Sequence, residues 1–373
     1  MSTATVNNPN SNKELKLISK NEYRSVLRKY ISSKDFNPDK KELFYYFVPM
    51  LVFLSGIYSL VHLQLLFLPV KIFISIVMGI SLASLTFFMH DLMHGAIIKS
   101  KKITYFTGLS IGLLNFFAPL LWQRVHNFHH ARAGNVDDPD RIYIWDEKPK
   151  NAFERFIYKL RISRDSYNAF LSLIGMSFGF FWYFSTMVYA LLQRRTNFKK
   201  TSQYQRINKL FKAKDVLIVF GELLLIFSFQ GFLFTVVAKS NLLSYFLISL
   251  FPVLISHFIN MLYIHTNHFL SPLTMETDDP LLNSLSLKNS WFVDKIFLNF
   301  SHHVEHHLFP AMSSSHYPKV RKLLLDLYPS RFQLIPMFDA VKLLCTTPRI
   351  YNNNTSLVNY DGSNQFNCLL PKA

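Results

Sequence analysis

Eight of the 14 histidines in this chain fall into three short groups whose spacing suits metal ligation. His90 and His94 form an HxxxH pair, His126, His129 and His130 form HxxHH, and His303, His306 and His307 form a second HxxHH. On a helix, positions i, i+3 and i+4 share one face, about 5–6 Å apart. Each group therefore projects its imidazoles in one direction, and imidazole suits iron, zinc, copper and nickel. Independent placement of this many histidines gives an HxxHH triple in on the order of 2% of chains, so two triples beside an HxxxH pair are not a product of composition.

Eight imidazoles exceed what one ion takes, at about four to six ligands, and suffice for two. His268 would be a ninth. His265, three residues earlier on the same helical face, competes with it, and Asn267 could hold a metal-bound water. Asp91, Glu305, Asp137 and Asp138 are nearby carboxylates of the kind that accept the second N–H of a bound imidazole. Asp137 and Asp138 read equally well as a solvated turn before Pro139. His302 adjoins the last group. His62, His257 and His316 are isolated and read as hydrogen-bonded structural histidines.

The elements that must position these groups are apolar. A spanning helix needs about 20 mostly apolar residues. Residues 44–90 supply two, at about 45–67 and 72–89, joined near Pro69. Further apolar stretches cover 103–121, 170–192, 216–238 and 242–264, the last two separated only by Lys239, Ser240 and Asn241. With both hairpin turns outward, Lys71 and Lys239 are the only bases there, and the rest of the 40 Lys and Arg lie on the cytosolic side, as the positive-inside rule requires. Stretch 103–121 has Lys101, Lys102 and Arg124 at its ends, and 170–192 has Arg161, Arg164, Arg194 and Arg195. Basic residues at both ends make re-entrant or interfacial helices the expectation for both, although the length of 170–192 also suits a crossing.

The expected fold is an all-α integral membrane protein with four transmembrane helices in two hairpins, re-entrant or interfacial helices, and a cytosolic helical cap. Residues 1–43 read as a cytosolic tail, helical near 21–30 and without a signal peptide. Residues 44–351 read as the membrane domain with its cap, and 352–373 as a C-terminal surface tail. This topology, drawn from charge alone, puts all nine histidines on one face. Glu222, inside the third span, is a functional-site candidate as any intramembrane carboxylate is, but lies near enough to the cytosolic end to reach the interface.

Composition agrees. Half the residues are apolar, 16% aromatic and only 17% charged, which excludes a disordered chain and a disulfide-rich secreted module. The net charge of +17 suits nucleic acid, an acidic protein or anionic lipid, and the apolar spans move the weight from nucleic acid to the membrane, with an acidic protein partner on the basic cytosolic face still open. Two cysteines, Cys345 and Cys368, are too few for an iron–sulfur cluster or a zinc ribbon.

The motifs His90-Asp91-Leu92-Met93-His94, His126-Asn127-Phe128-His129-His130 and His303-Val304-Glu305-His306-His307-Leu308-Phe309-Pro310 resemble those of the membrane fatty acid desaturases, over about residues 44–351. The run from Glu305 to Pro310 resembles the acyl-lipid branch. The resemblance implies two non-haem iron ions held mainly by histidines, with O2 as co-substrate. It implies a cis double bond placed in a fatty acyl lipid or thioester. Electrons would come from a separate ferredoxin or cytochrome b5, because the third box opens with His303 rather than Gln and no HPGG haem motif precedes it. Related hydroxylases, ketolases and acetylenases use the same boxes, and sphingolipid or sterol-like substrates fit them too. A metal transporter is the rival of another class, but transport ligands usually lie near the bilayer midplane. A basic interaction protein leaves the histidine spacing unexplained.

Overall fold

The computed structural model describes residues 5–7, 14–63, 66–135, 138, 148–192, 209–274 and 278–370. The chain is predominantly helical. Helix α1 (Lys20–Leu27) precedes a pair of long helices, α2 (Phe44–His62) and α3 (Leu68–Met93). Pro69 starts α3, where its missing N–H costs nothing. α2 turns Phe47, Leu51, Leu54 and Tyr58 outward, whereas the last third of α3 is buried throughout. In a membrane protein that outward apolar face meets lipid.

α4 (Lys101–Asn115) and α5 (Pro119–Arg132) follow, bent by 103° at a short break. Phe116 takes a left-handed conformation there, φ 59°. A Cβ on Gly112 would collide with the Phe117 carbonyl, so only glycine lets the chain turn back this tightly. α6 (Ala152–Leu160) and α7 (Ala169–Leu192) lead to the long α8 (Ala213–Phe232), which continues as a wider π-turn over Leu233–Val237. After a turn with Lys239 and Ser240 at positive φ, the segments Leu242–Tyr245 and Phe246–Leu250 run into α9 (Phe251–His268).

Among the described residues, five helices are long and apolar enough to cross a membrane, at Ser33–His62, Leu68–Met93, Ala169–Tyr189, Ala213–Val237 and Leu242–His268. The bent pair α4–α5 would make a sixth. The bend is that of a broken span or of a re-entrant loop such as the one expected at 103–121, and α7 has the length of a crossing.

The remaining chain builds a cap. It includes α10 (His303–Leu308), α11 (Tyr317–Leu327) and α12 (Met337–Thr346). Short strands tie it together: β1 (Thr5–Asn7) pairs with β2 (Glu14–Lys16), and β3 (Ser286–Lys288) runs parallel to β4 (Leu334–Pro336). β5 (Ile350–Asn353), β6 (Ser356–Val358) and β7 (Gln365–Asn367) form an antiparallel sheet.

Both chain ends are more engaged than the sequence suggests. The helix expected near 21–30 is α1, and it is docked: Tyr23 and Leu27 are fully buried with Val304, Leu308, Met312 and Val320. Arg24 Nε donates to the Leu308 carbonyl at 2.6 Å. Residues expected as a surface tail form β6 and β7, with Leu357 fully buried, and the Leu369 amide donates to the Leu270 carbonyl at 2.9 Å. Cys345 and Cys368 are both free.

Candidate metal centre

The eight histidines singled out by spacing, together with His268, meet in two adjoining groups. His90, His94, His126, His130 and His306 form one, and His129, His268, His303 and His307 the other; within each, one ring nitrogen per residue lies within 4.8 Å of all the others. His90 lies in the last turn of α3, with His94 as the C-cap of that helix. α9 ends in His268. α5 and α10 each feed both groups, because HxxHH on one helix turns its histidines to two neighbouring directions.

The Nε2 atoms converge. His130 Nε2 is 3.0 Å from that of His126 and 2.9 Å from that of His306. His303 Nε2 is 2.6 Å from that of His268 and 3.1 Å from that of His307. The Nε2 atoms of His90 and His94 are buried without a hydrogen-bond partner. Lone pairs gathered in this way are costly unless they are satisfied, and a cation satisfies several at once. Burial, reinforced by neighbouring imidazoles, holds His303, His306 and His307 well below the usual histidine range. They are therefore neutral donors at physiological pH, which ligation requires.

The other ring nitrogens show how some of the rings are oriented. His90 Nδ1 lies 2.9 Å from Asp91 Oδ1, and His129 Nδ1 lies 2.8 Å from Asp138 Oδ1. Both are arrangements that fix a tautomer with Nε2 free to ligate. Of the other carboxylates, Glu305 turns away to Arg321 Nε and Ser286 Oγ, at 2.6 and 2.5 Å, and Asp137 lies outside the described residues. His306 Nδ1 finds the Tyr317 hydroxyl at 2.9 Å, a partner no motif announced, and His268 Nδ1 has a longer contact, 3.5 Å, with the Asn283 carbonyl. Lys20 of α1 donates to the His130 carbonyl at 2.8 Å and pairs with Asp278 at 3.0 Å. The N-terminal segment thus reaches the back of the second box.

The remaining histidines stay out. His265 stacks on Phe269 and lines a separate cavity. His302 contacts Ser301 and Asn299, and His257 bonds the Asn115 carbonyl. His316 faces Asp35 and His62 stacks on Tyr58. Asn267 is fully buried, with neither side-chain polar atom hydrogen-bonded.

A cavity of about 60 Å³ abuts both groups. His90, His126, His129, His268 and His303 form its polar side, and Phe87, Trp122, Phe180, Met261, Ile264 and Phe300 are among its apolar walls. Trp122 stacks on His126 with ring centroids 4.4 Å apart. The arrangement sets a multi-histidine cluster against a cavity with largely apolar walls.

Comparison with curated proteins gives no match. The family model described as fatty acid desaturase matches residues 63–338, which includes all three histidine boxes and His268. With that match covering most of the chain, and the boxes meeting beside an apolar cavity, the protein belongs to the fatty acid desaturase family and is an oxidoreductase of that family.

Proposed function

We propose that this chain is an acyl-lipid desaturase that inserts a cis double bond, with two iron ions held by His90, His94, His126, His130 and His306 and by His129, His268, His303 and His307. The observation that carries the reading is the contact between the two histidine groups and one apolar cavity. Iron bound there supplies the O2-dependent removal of two hydrogens from adjacent methylenes, with two electrons from a separate donor protein and two protons, yielding the alkene and two waters. Unactivated methylenes offer no acid or leaving group, so such chemistry belongs to a cofactor.

The protein's part is position and dryness. Phe87, Trp122, Met261 and Phe300 would align an acyl chain against the histidines and keep out water. Asp91, Asp138 and Tyr317 hold His90, His129 and His306 by their Nδ1 atoms. The ferredoxin or cytochrome b5 donor would dock on the basic cytosolic cap, and its acidic surface suits that charge.

Connectivity supports the four-span reading. His268, at the end of α9, shares a group with His129 of α5, so an even number of crossings separates them. α8 and α9 form a helical hairpin, which makes α7 a helix returning to the face it left. The centre would then face the cytosol.

The test is the acyl profile, by gas chromatography–mass spectrometry, of a host expressing the chain or its His306→Ala variant. A new unsaturated acid absent from the variant supports the proposal and gives the double-bond position. A hydroxylated or keto lipid in its place would move the assignment to a hydroxylase or ketolase.

A further inference from the structure

The break between α4 and α5 is packed among apolar spans, where backbone groups cannot turn to water. Helix ends leave several carbonyls or amides without partners. At this break the partners are side chains of other spans. Gln230 of α8 donates from Nε2 to the Leu113 carbonyl at 2.8 Å, and its own oxygen accepts from Ser249 and Tyr245. His257 of α9 donates from Nε2 to the Asn115 carbonyl at 3.1 Å. Asn115 Nδ2 donates to Thr86 Oγ1 of α3 at 3.2 Å. On the far side of the break, Glu222 of α8 accepts the Leu120 amide, with Oε2 at 3.2 Å.

Glu222 is 1% exposed, belongs to neither histidine group and does not line the cavity beside them. We propose that Glu222 is a positioning residue of the metal centre: by accepting the Leu120 amide at the first turn of α5, it fixes the direction of that helix and so the placing of His126, His129 and His130. A carboxylate at a helix N-terminus also opposes the helix dipole favourably. α5 is a sensitive helix to fix, because it gives His126 and His130 to one group and His129 to the other. A small tilt would change both groups and move Trp122, which stacks on His126 in the cavity wall. A second grip lies a turn further on, where Arg124 of α5 is 3.5 Å from Asp215 of α8. Side chains of α8 therefore hold both helices that flank the break.

The inference rests on the desaturase reading. It is tested on the purified full chain loaded with iron and supplied with acyl lipid, O2 and a reduced ferredoxin or cytochrome b5 as electron source, by iron per chain and by unsaturated product formed per O2 consumed. Wild-type protein with neither iron nor product would overturn the functional assignment instead. Glu222→Leu is expected to insert normally, hold about half the wild-type iron or less, and form at least about fivefold less product per O2, as misplacement of reacting groups produces. Glu222→Gln keeps an acceptor oxygen for the Leu120 amide and should stay within about twofold of wild type on both readouts. Wild-type values in Glu222→Leu, or losses in Glu222→Gln as deep as in Glu222→Leu, would overturn the proposal. If Glu222→Leu fails to accumulate, Glu222→Asp withdraws the carboxylate by one methylene. Reduced product per O2 in that variant at normal expression supports the positioning role, and an unchanged ratio refutes it.

Discussion

His130 and His306 are 176 positions apart in sequence, yet their Nε2 atoms lie 2.9 Å apart. α5 carries one just beyond its break with α4, and α10 carries the other. Nε2 atoms aimed at one point offer their lone pairs to one cation, and the same convergence recurs at His268, His303 and His307. The helices would not be built this way for hydrogen bonding alone, since two imidazoles need only one donor between them.

Loss of either imidazole should therefore remove function without removing the fold. His130→Ala and His306→Ala are expected to reach the membrane at wild-type levels and form no detectable unsaturated product. His316→Ala, which alters a partly exposed ring beside Asp35, should leave product unchanged. Acyl profiling with membrane immunoblotting checks all three.

The hydroxyl of Tyr317 accepts from His306 Nδ1 once Nε2 is committed to a metal. Removing such an outer partner typically costs about 10–100-fold in metal affinity or activity. Tyr317→Phe should weaken metal binding within that range while retaining the helical content of wild type. A metal titration with circular dichroism reads both.

Docking of α1 should stabilise the cap. Leu27 is fully buried against it, and truncating a buried leucine costs about 2–5 kcal/mol. Leu27→Ala is expected to lower the thermal midpoint in detergent and to expose α10 and α11 to protease sooner. Equal melting and cleavage would show that the N-terminal segment is dispensable.

Met261 lies in the cavity wall two helical turns before His268. Met261→Trp should fill space needed by the guest and shift products toward shorter acyl chains or lower the yield by about tenfold. The chain-length distribution of products decides it.

The three histidine boxes were legible in sequence, because i, i+3, i+4 spacing is set by helix geometry alone, but their division was not: one direction per box was expected, and α5 and α10 each serve both groups. The choice of His268 as ninth member agrees with its place beside His129, whereas His265 lies against Phe269. Partners distant in sequence were not legible. Tyr317 is 11 residues from His306 and Lys20 is 110 from His130, and no local pattern encodes such contacts. Glu222 was visible as an intramembrane carboxylate, but its partner is a backbone amide 102 residues away, exposed only because α4 and α5 break. The C-terminal sheet escaped notice because its strands are three or four residues long, too short for alternation to stand out.

The central claim is that the two histidine groups hold two irons. Metal analysis of the purified chain, after expression with iron and zinc both supplied, tests it most directly. The account predicts about two irons per chain, falling to about one or fewer in His306→Ala and in His307→Ala, each of which breaks a different group. Zinc in place of iron, or a wild-type chain without metal, would contradict it.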